Sequence, residues 1–273
     1  MAATIKGTDV EVPLAPTALR FMNENDDERF LANAAQLASA VQRLGLRPDD
    51  EVLDVGCSIG RLATGLMVNT DFRGRYVGFD VMPRQVRWAR RHLAPIAEGY
   101  HFRHIDVRND RYNPGGALEA EDVTFPARSD GFHVAVLFSI FTHFYKEDVD
   151  RYLRELRRVL RPGGRVIATW FLYDEDSYEA ALTSAYPMVH RLDDVTIYND
   201  PDDPLRAIAF DEGHVRAQVA AAGLEIELVE YGRWNGGPGP EWQDLMVLRR
   251  PEDPPPSFLD RVKGKVRRTF SRG

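Results

Sequence analysis

Between about residue 50 and residue 170, short apolar runs alternate with helical patterns, and this alternation restricts the fold more than any other feature. Strands separated by helices must return in the same direction, so the segment predicts β-α-β units and a parallel sheet. The strands are read at EVLDVG (51–56), RYVGFD (75–80), HFRHID (101–106), FHVAVLFS (132–139) and RVIATWFL (165–172). Helices are expected from Gly60 to about Val68, from Pro83 through His92, and over 148–160, where Val149, Leu153, Leu156 and Leu160 form one apolar stripe that stops at RPGG (161–164). The polar stretch 108–131 is too long for a plain connection and predicts a surface excursion.

Beyond Leu172 the pattern changes. Residues 174–204 mix aromatic, acidic and proline residues and are read as a cap over the sheet edge, expected to close on a ligand. A helix over 212–223 and strands at 224–232 and 242–250 follow, the last two forming a hairpin across a Gly/Pro loop. An amphipathic helix at 30–45 leads in. The organisation is thus a helical lead-in (1–50), an α/β domain with its cap (51–250) and a tail (251–273).

Composition narrows the functional classes. The single cysteine, Cys57, allows neither an internal disulfide nor a thiolate metal cluster. With 35 basic against 42 acidic side chains, the net charge of −7 repels polyanions and argues against nucleic acid as a partner. No apolar run reaches the roughly 18 residues of a membrane span, and the polar N-terminus lacks a signal-peptide core, so a cytoplasmic protein is expected. The tail differs from the rest: over 261–273, Arg261, Lys263, Lys265, Arg267, Arg268 and Arg272 meet no acid, and Phe258, Val262, Val266 and Phe270 recur every four residues. Such a segment predicts a peripheral contact, with an acidic partner, a second copy of the chain or an anionic surface.

The loop Asp54-Val-Gly56-Cys57-Ser58-Ile-Gly60-Arg61 follows the first strand, and its glycines permit the tight turn and close backbone approach that a nucleotide requires. Ser58 and Arg61 stand where the dinucleotide fingerprint has its second and third glycines, which disfavours a pyrophosphate cradle and a dehydrogenase. Asp80 ends the next strand, placed to accept both hydroxyls of a ribose, and Asp106 ends the third.

Through LDVGCSIGR, VGFD, the Asp106 strand end and LRRVLRPGGRV, residues 51–172 resemble the class I S-adenosylmethionine-dependent methyltransferases. The resemblance implies a Rossmann-like α/β fold: a seven-stranded, mostly parallel sheet with helices on both faces, an antiparallel terminal hairpin and a cap insertion. It also implies S-adenosylmethionine as cofactor, with Asp54, Gly56, Cys57, Ser58, Gly60 and Arg61 around the methionine part. Asp80 and Val81 would then hold the ribose, Asp106 and Val107 the adenine, and Ser139 and Ile140 the cofactor edge. Further segments, DVRNDRYNPG (106–115), SIFTH (139–143), WNGG (234–237) and Gln243-Asp244, resemble bacterial methyltransferases associated with saccharide modification, including those of methylated mannose polysaccharides. That likeness implies O-methylation of a hydroxylated small molecule or oligosaccharide.

At the acceptor, an alcohol needs a base, and His143 just past the fourth strand is the favoured one. His190 in the cap is the alternative. Tyr112, Trp234, Trp242, Gln243 and Asp244 are expected around the acceptor, because an indole face beside amide and carboxylate groups suits a sugar. A metal-assisted route would use Mg²⁺ on Asp193, Asp194, Asp200, Asp202 or Asp203, though an acidic run is more often a solvated face. A phenolic or quinone acceptor, and a non-catalytic cofactor-binding module, remain as alternatives at this stage.

Overall fold

The computed structural model describes residues 3–20 and 26–253, so the basic tail stripe lies outside the described residues. In chain order the strands are β1 (Ala3–Thr4), β2 (Glu11–Val12), β3 (Glu51–Val55), β4 (Arg75–Asp80), β5 (Tyr100–His104), β6 (Phe132–Leu137), β7 (Leu160–Trp170), β8 (Leu172–Tyr173), β9 (His190–Asp193), β10 (Thr196–Tyr198), β11 (Ile208–Asp211), β12 (Glu225–Glu230) and β13 (Asp244–Arg249). The helices are α1 (Asp27–Arg43), α2 (Arg61–Asn69), α3 (Pro83–His92), α4 (Lys146–Val159), α5 (Tyr178–Thr183) and α6 (Glu212–Ala221).

The central sheet has seven strands in the order β12-β13-β7-β6-β3-β4-β5. The five strands anticipated from the alternating pattern pair in parallel, while β13 runs antiparallel to both β7 and β12. Strand order reverses beside β3, between β6 and β4, where ligands of open α/β sheets bind at the carboxyl ends of the strands. Both sheet faces are covered, which explains why β3, β4 and β6 read as continuous apolar runs. On one face Val149, Leu153 and Leu156 of α4 and Val215 and Val219 of α6 pack into the core. On the other, Ala38 and Val41 of α1, Leu62 and Leu66 of α2, and Val86 and Ala89 of α3 do so. Helices α1 and α2 approach closely because Gly65 has no side chain: a Cβ there would lie 2.0 Å from the Ala34 carbonyl oxygen.

Several boundaries differ from the sequence reading. Helix α1 begins three residues early, because the Asp26 side chain accepts from the Arg29 N–H and caps it. Strand β7 takes in the RPGG turn, extending back to Leu160 by pairing with Phe132. The largest difference is in the cap, expected over 174–204 with no elements assigned within it. It contains helix α5 and a second sheet in the order β8-β11-β10-β9, reaching Asp211. Its strands are two to four residues long and its core, Phe171, Tyr173, Met188, Ile197 and Trp234, is drawn from distant segments, so no local periodicity announces it.

Candidate functional site

The carboxyl ends of β3, β4 and β6 open into a cavity of about 930 Å³. Its floor is the glycine-containing loop. The N–H groups of Gly56 and Cys57 both donate to the Phe79 carbonyl, at 2.9 and 3.1 Å, which ties the loop to the end of β4. Gly56 has a φ of 81°, and a Cβ there would sit 2.1 Å from Ile140 Cδ1, so this glycine serves both a left-handed turn and a close contact. Ser58 adopts a φ of 47°, a conformation that costs a non-glycine residue roughly 1–2 kcal/mol. Its N–H donates to Asp80 Oδ2 at 2.8 Å.

Asp80 is buried, and its other oxygen, Oδ1, accepts from the Met82 N–H at 2.8 Å. Burial raises its pKa to about 6, with the backbone N–H groups at Met82 and Ser58 pulling the other way. Near neutral pH it is therefore a desolvated carboxylate whose oxygens each retain acceptor capacity for a diol. Asp54 also lines the wall; it accepts a hydrogen bond from the Tyr76 hydroxyl, and burial raises its pKa to about 7. Cys57 is buried against Gly78, where a Cβ would come within 2.9 Å of its Sγ, and burial pushes its thiol pKa up, as suits a packing residue rather than a nucleophile.

The opposite end of the cavity is polar. His143 closes a single helical turn, Phe141–His143, and its Nδ1 lies 2.8 Å from the Leu205 carbonyl of the cap. A carbonyl only accepts, so Nδ1 carries the proton and Nε2 the lone pair. Burial lowers the ring's pKa to about 4, so the imidazole is neutral at physiological pH. Tyr112 meets it edge-on, with ring centroids 5.3 Å apart. Arg111 forms an ion pair with Asp203, joining the 108–131 excursion to the cap, and Asp202 and Asp203 line the cavity from above. The excursion is shaped by Asn109, whose Oδ1 accepts from the Arg111 and Tyr112 N–H groups and whose Nδ2 donates to the His143 carbonyl.

Of the residues anticipated from sequence, Asp54, Gly56, Cys57, Ser58, Arg61, Asp80, Val81, Val107, Ser139, Ile140, Tyr112 and His143 share this one cavity wall. The others lie elsewhere. Gly60 caps α2 behind the loop, where a Cβ would strike Leu93. Asp106 is exposed, its Oδ1 accepting from Asn113 Nδ2 at 3.0 Å, so it is turned away from the wall that Val107 lines. His190 packs on Tyr198 within the cap sheet. The hairpin loop leaves β12 at the carboxyl edge of the sheet, but none of its residues lines the cavity and its side chains serve the cap. Trp234 is buried against Phe171 at 4.9 Å and donates to Asp244 Oδ2 at 2.7 Å, while Trp242 is exposed and off the wall. Asp244 is fully buried and also accepts from the Leu172 and Gly232 N–H groups, which makes it the clasp between hairpin and cap. Gln243 acts one step back, accepting from the Ser139 hydroxyl at 2.8 Å.

The acids considered for Mg²⁺ are engaged separately: Asp193 with Lys146, Asp200 with Arg206, Asp203 with Arg111. Among the described residues no three metal-ligating side chains converge. Among the cavity residues not singled out from sequence are Asn109, Arg111 and, on α4, the pair Asp148 and Tyr152. The α4 pair stand four residues apart on the helix face that also carries the apolar stripe, so only their polarity could have marked them. Burial raises the Asp148 pKa to about 6, with Glu147, Asp110 and Glu119 adding to it.

Residues 52–164 match the family described as methyltransferase domain. A curated relative, the sterol 4-C-methyltransferase strm-1 of Caenorhabditis elegans, is 25% identical over 195 residues, covering 71% of this chain and 49% of that protein. The chain thus spans about half the length of that relative. Among solved structures, a SAM-dependent methyltransferase from Methanosarcina mazei is similar with a TM-score of 0.54 at 17% identity, over 78% of this chain and 98% of that one. The [4+2]-cyclase SpnF gives a TM-score of 0.53 at 18% identity, over 80% and 81%. At these identities the structural likeness establishes a shared fold, the Rossmann-like sheet with its antiparallel terminal hairpin.

Proposed function

We propose that this chain, in which residues 52–164 match a methyltransferase domain, transfers a methyl group from S-adenosylmethionine to a hydroxyl of a polar acceptor such as a saccharide. The observation that carries the reading is the two-ended cavity: a backbone-tethered loop with the buried Asp80 at one end, and a polar mouth of Asn109, Arg111, Tyr112, His143, Asp202 and Asp203 at the other. A volume of about 930 Å³ has room for a nucleoside-sized cofactor and a small acceptor together.

The cofactor supplies an electrophilic methyl group on sulfur. Asp80 would accept from the ribose hydroxyls while holding Ser58 and Met82 by their N–H groups, so one carboxylate sets both the loop and the sugar. Ile105, Val107, Ala120 and Phe144 offer apolar walls to a purine. Displacement at a sulfonium needs chiefly an aligned acceptor and removal of its proton. His143 supports the second role, being neutral with a lone pair on Nε2, although a pKa near 4 makes it a weak base. Its bond to Leu205 supports another role, as anchor of the cap roof.

A sterol acceptor, suggested by the curated relative, is disfavoured by the charged mouth, since burying an apolar ring system against Arg111 and Asp203 would leave their ion pair without solvent or partners of its own kind. The fold by itself does not require methyl transfer, as SpnF illustrates by being a cyclase. The test is transfer of radiolabelled methyl from S-adenosylmethionine to a panel of saccharides, phenols and sterols. Label in the saccharide fraction is expected. Binding of S-adenosylhomocysteine with no labelled product from any class would instead favour a cofactor-binding module without turnover.

A further inference from the structure

Helix α3 carries the largest group of unpaired cations on the described surface. From Val81 to Ala97 the sequence has no acidic residue, yet it holds Arg84, Arg87, Arg90 and Arg91. All four are exposed, and among the described residues none has a carboxylate within ion-pair distance. Several arginines elsewhere are matched, such as Arg43 with Glu230, Arg165 with Glu227 and Arg216 with Glu212. In a chain with more acids than bases, four neighbouring arginines left without partners are a departure from the surrounding surface. Arg84, Arg87 and Arg91 stand at i, i+3 and i+7, so they form one stripe along the outer face, opposite Val86 and Ala89, which pack into the core. The stripe starts beside Met82, a residue of the cavity wall.

We propose that this stripe is a docking surface for a partner protein that presents an acidic helix. Guanidinium groups bind carboxylates in bidentate geometry, and acids repeating at i, i+3 or i+4, and i+7 on a facing helix match the rise between Arg84 and Arg91. The geometry disfavours a membrane, because the exposed large apolar side chains, Val10, Leu118, Val189, Leu192, Leu228, Tyr231 and Trp242, all lie outside α3 and β5. An extended nucleic acid is disfavoured because it would run off a stripe roughly 10 Å long onto a chain of net negative charge. A partner seated here lies next to the cavity rim, so it is in position to deliver or receive an acceptor. The docking itself does not depend on which acceptor is methylated.

The test uses fluorescence anisotropy with an alanine-based helical peptide of about 14 residues carrying glutamates on one face, and an isomer with the same glutamates spread around the helix. The expected result is that the full chain binds the one-faced peptide more tightly than the isomer, and that Arg84→Gln/Arg87→Gln/Arg91→Gln weakens it about tenfold or more. The variant should keep the wild-type melting temperature, since its changed groups are solvated and unpaired. Equal binding of the peptide by wild type and variant would overturn the proposal. So would arginine-dependent binding that is tighter to duplex DNA, or to vesicles containing phosphatidylserine, than to the one-faced peptide.

Discussion

The two ends of the cavity are built in different ways. The end proposed for the cofactor is made by neighbours in sequence or in the sheet: Gly56 and Cys57 donate to Phe79, Ser58 and Met82 donate to Asp80, and every one of these residues sits within three positions of a strand end. The end proposed for the acceptor is made by long-range contacts: His143 meets Leu205, Arg111 meets Asp203, and Asp244 clasps Leu172 to Trp234. A site fixed by the sheet is preorganised, whereas one fixed by a few side chains across a cap can open when those contacts break.

The largest effect that would sharpen this contrast is on turnover. His143→Ala should lower kcat by roughly 10²–10⁴ if the ring removes the acceptor's proton, with cofactor affinity unchanged. His143→Gln separates the two roles, because its amide can still donate to the Leu205 carbonyl but is no base. Recovery of most of the activity in the glutamine variant would assign His143 to anchoring the cap. With a pKa near 4, the wild-type base should stay competent down to about pH 5, so a kcat limb centred near 6.5 would point to another group.

Next in size, Asp80→Ala should weaken S-adenosylhomocysteine binding about 100-fold, read by calorimetry, since it removes the buried acceptor and leaves the Ser58 and Met82 N–H groups unpaired. Unchanged affinity in the folded variant would break the idea that the cofactor end is organised by this carboxylate. Arg111→Gln is expected to be milder and confined to the other end, raising the acceptor KM about three- to tenfold while cofactor Kd stays constant. A change in cofactor affinity instead would show that the two ends are not separable.

The smallest effect concerns pH and stability of the ligand-free protein. Burial raises the pKa of Asp54 to about 7, above the ordinary 3.8, so the folded form retains a proton that the unfolded chain has released. Its stabilising contribution is complete below about 3.8 and is lost as pH rises through 7. Asp80, at about 6, acts in the same direction. Asp54→Asn should therefore flatten the fall in melting temperature between pH 5 and 8, as scanning calorimetry would show. A slope equal to that of the wild type would mean that Asp54 is not the buried acid responsible.

What the sequence determined by itself is the part of the protein governed by local rules. Short apolar runs alternating with helical patterns marked the five parallel strands, because a strand buried on both faces has no polar side to show. The glycines and acids at strand ends gave Asp54, Gly56, Ser58 and Asp80, because a ligand at the carboxyl edge must be met by whatever residues leave that edge. The tertiary structure decided the rest. Trp234 and Asp244 looked like sugar-binding groups by residue type, yet the cap needed a buried indole and a carboxylate to satisfy three N–H groups. Asp106 was expected to end its strand as Asp80 does, but it lies two residues past β5 and is bonded outward to Asn113, while Asp148 and Tyr152 face the cavity from a helix whose stripe signalled only packing. Side-chain direction at such positions is set by partners far away in sequence, and no local pattern encodes a partner's position.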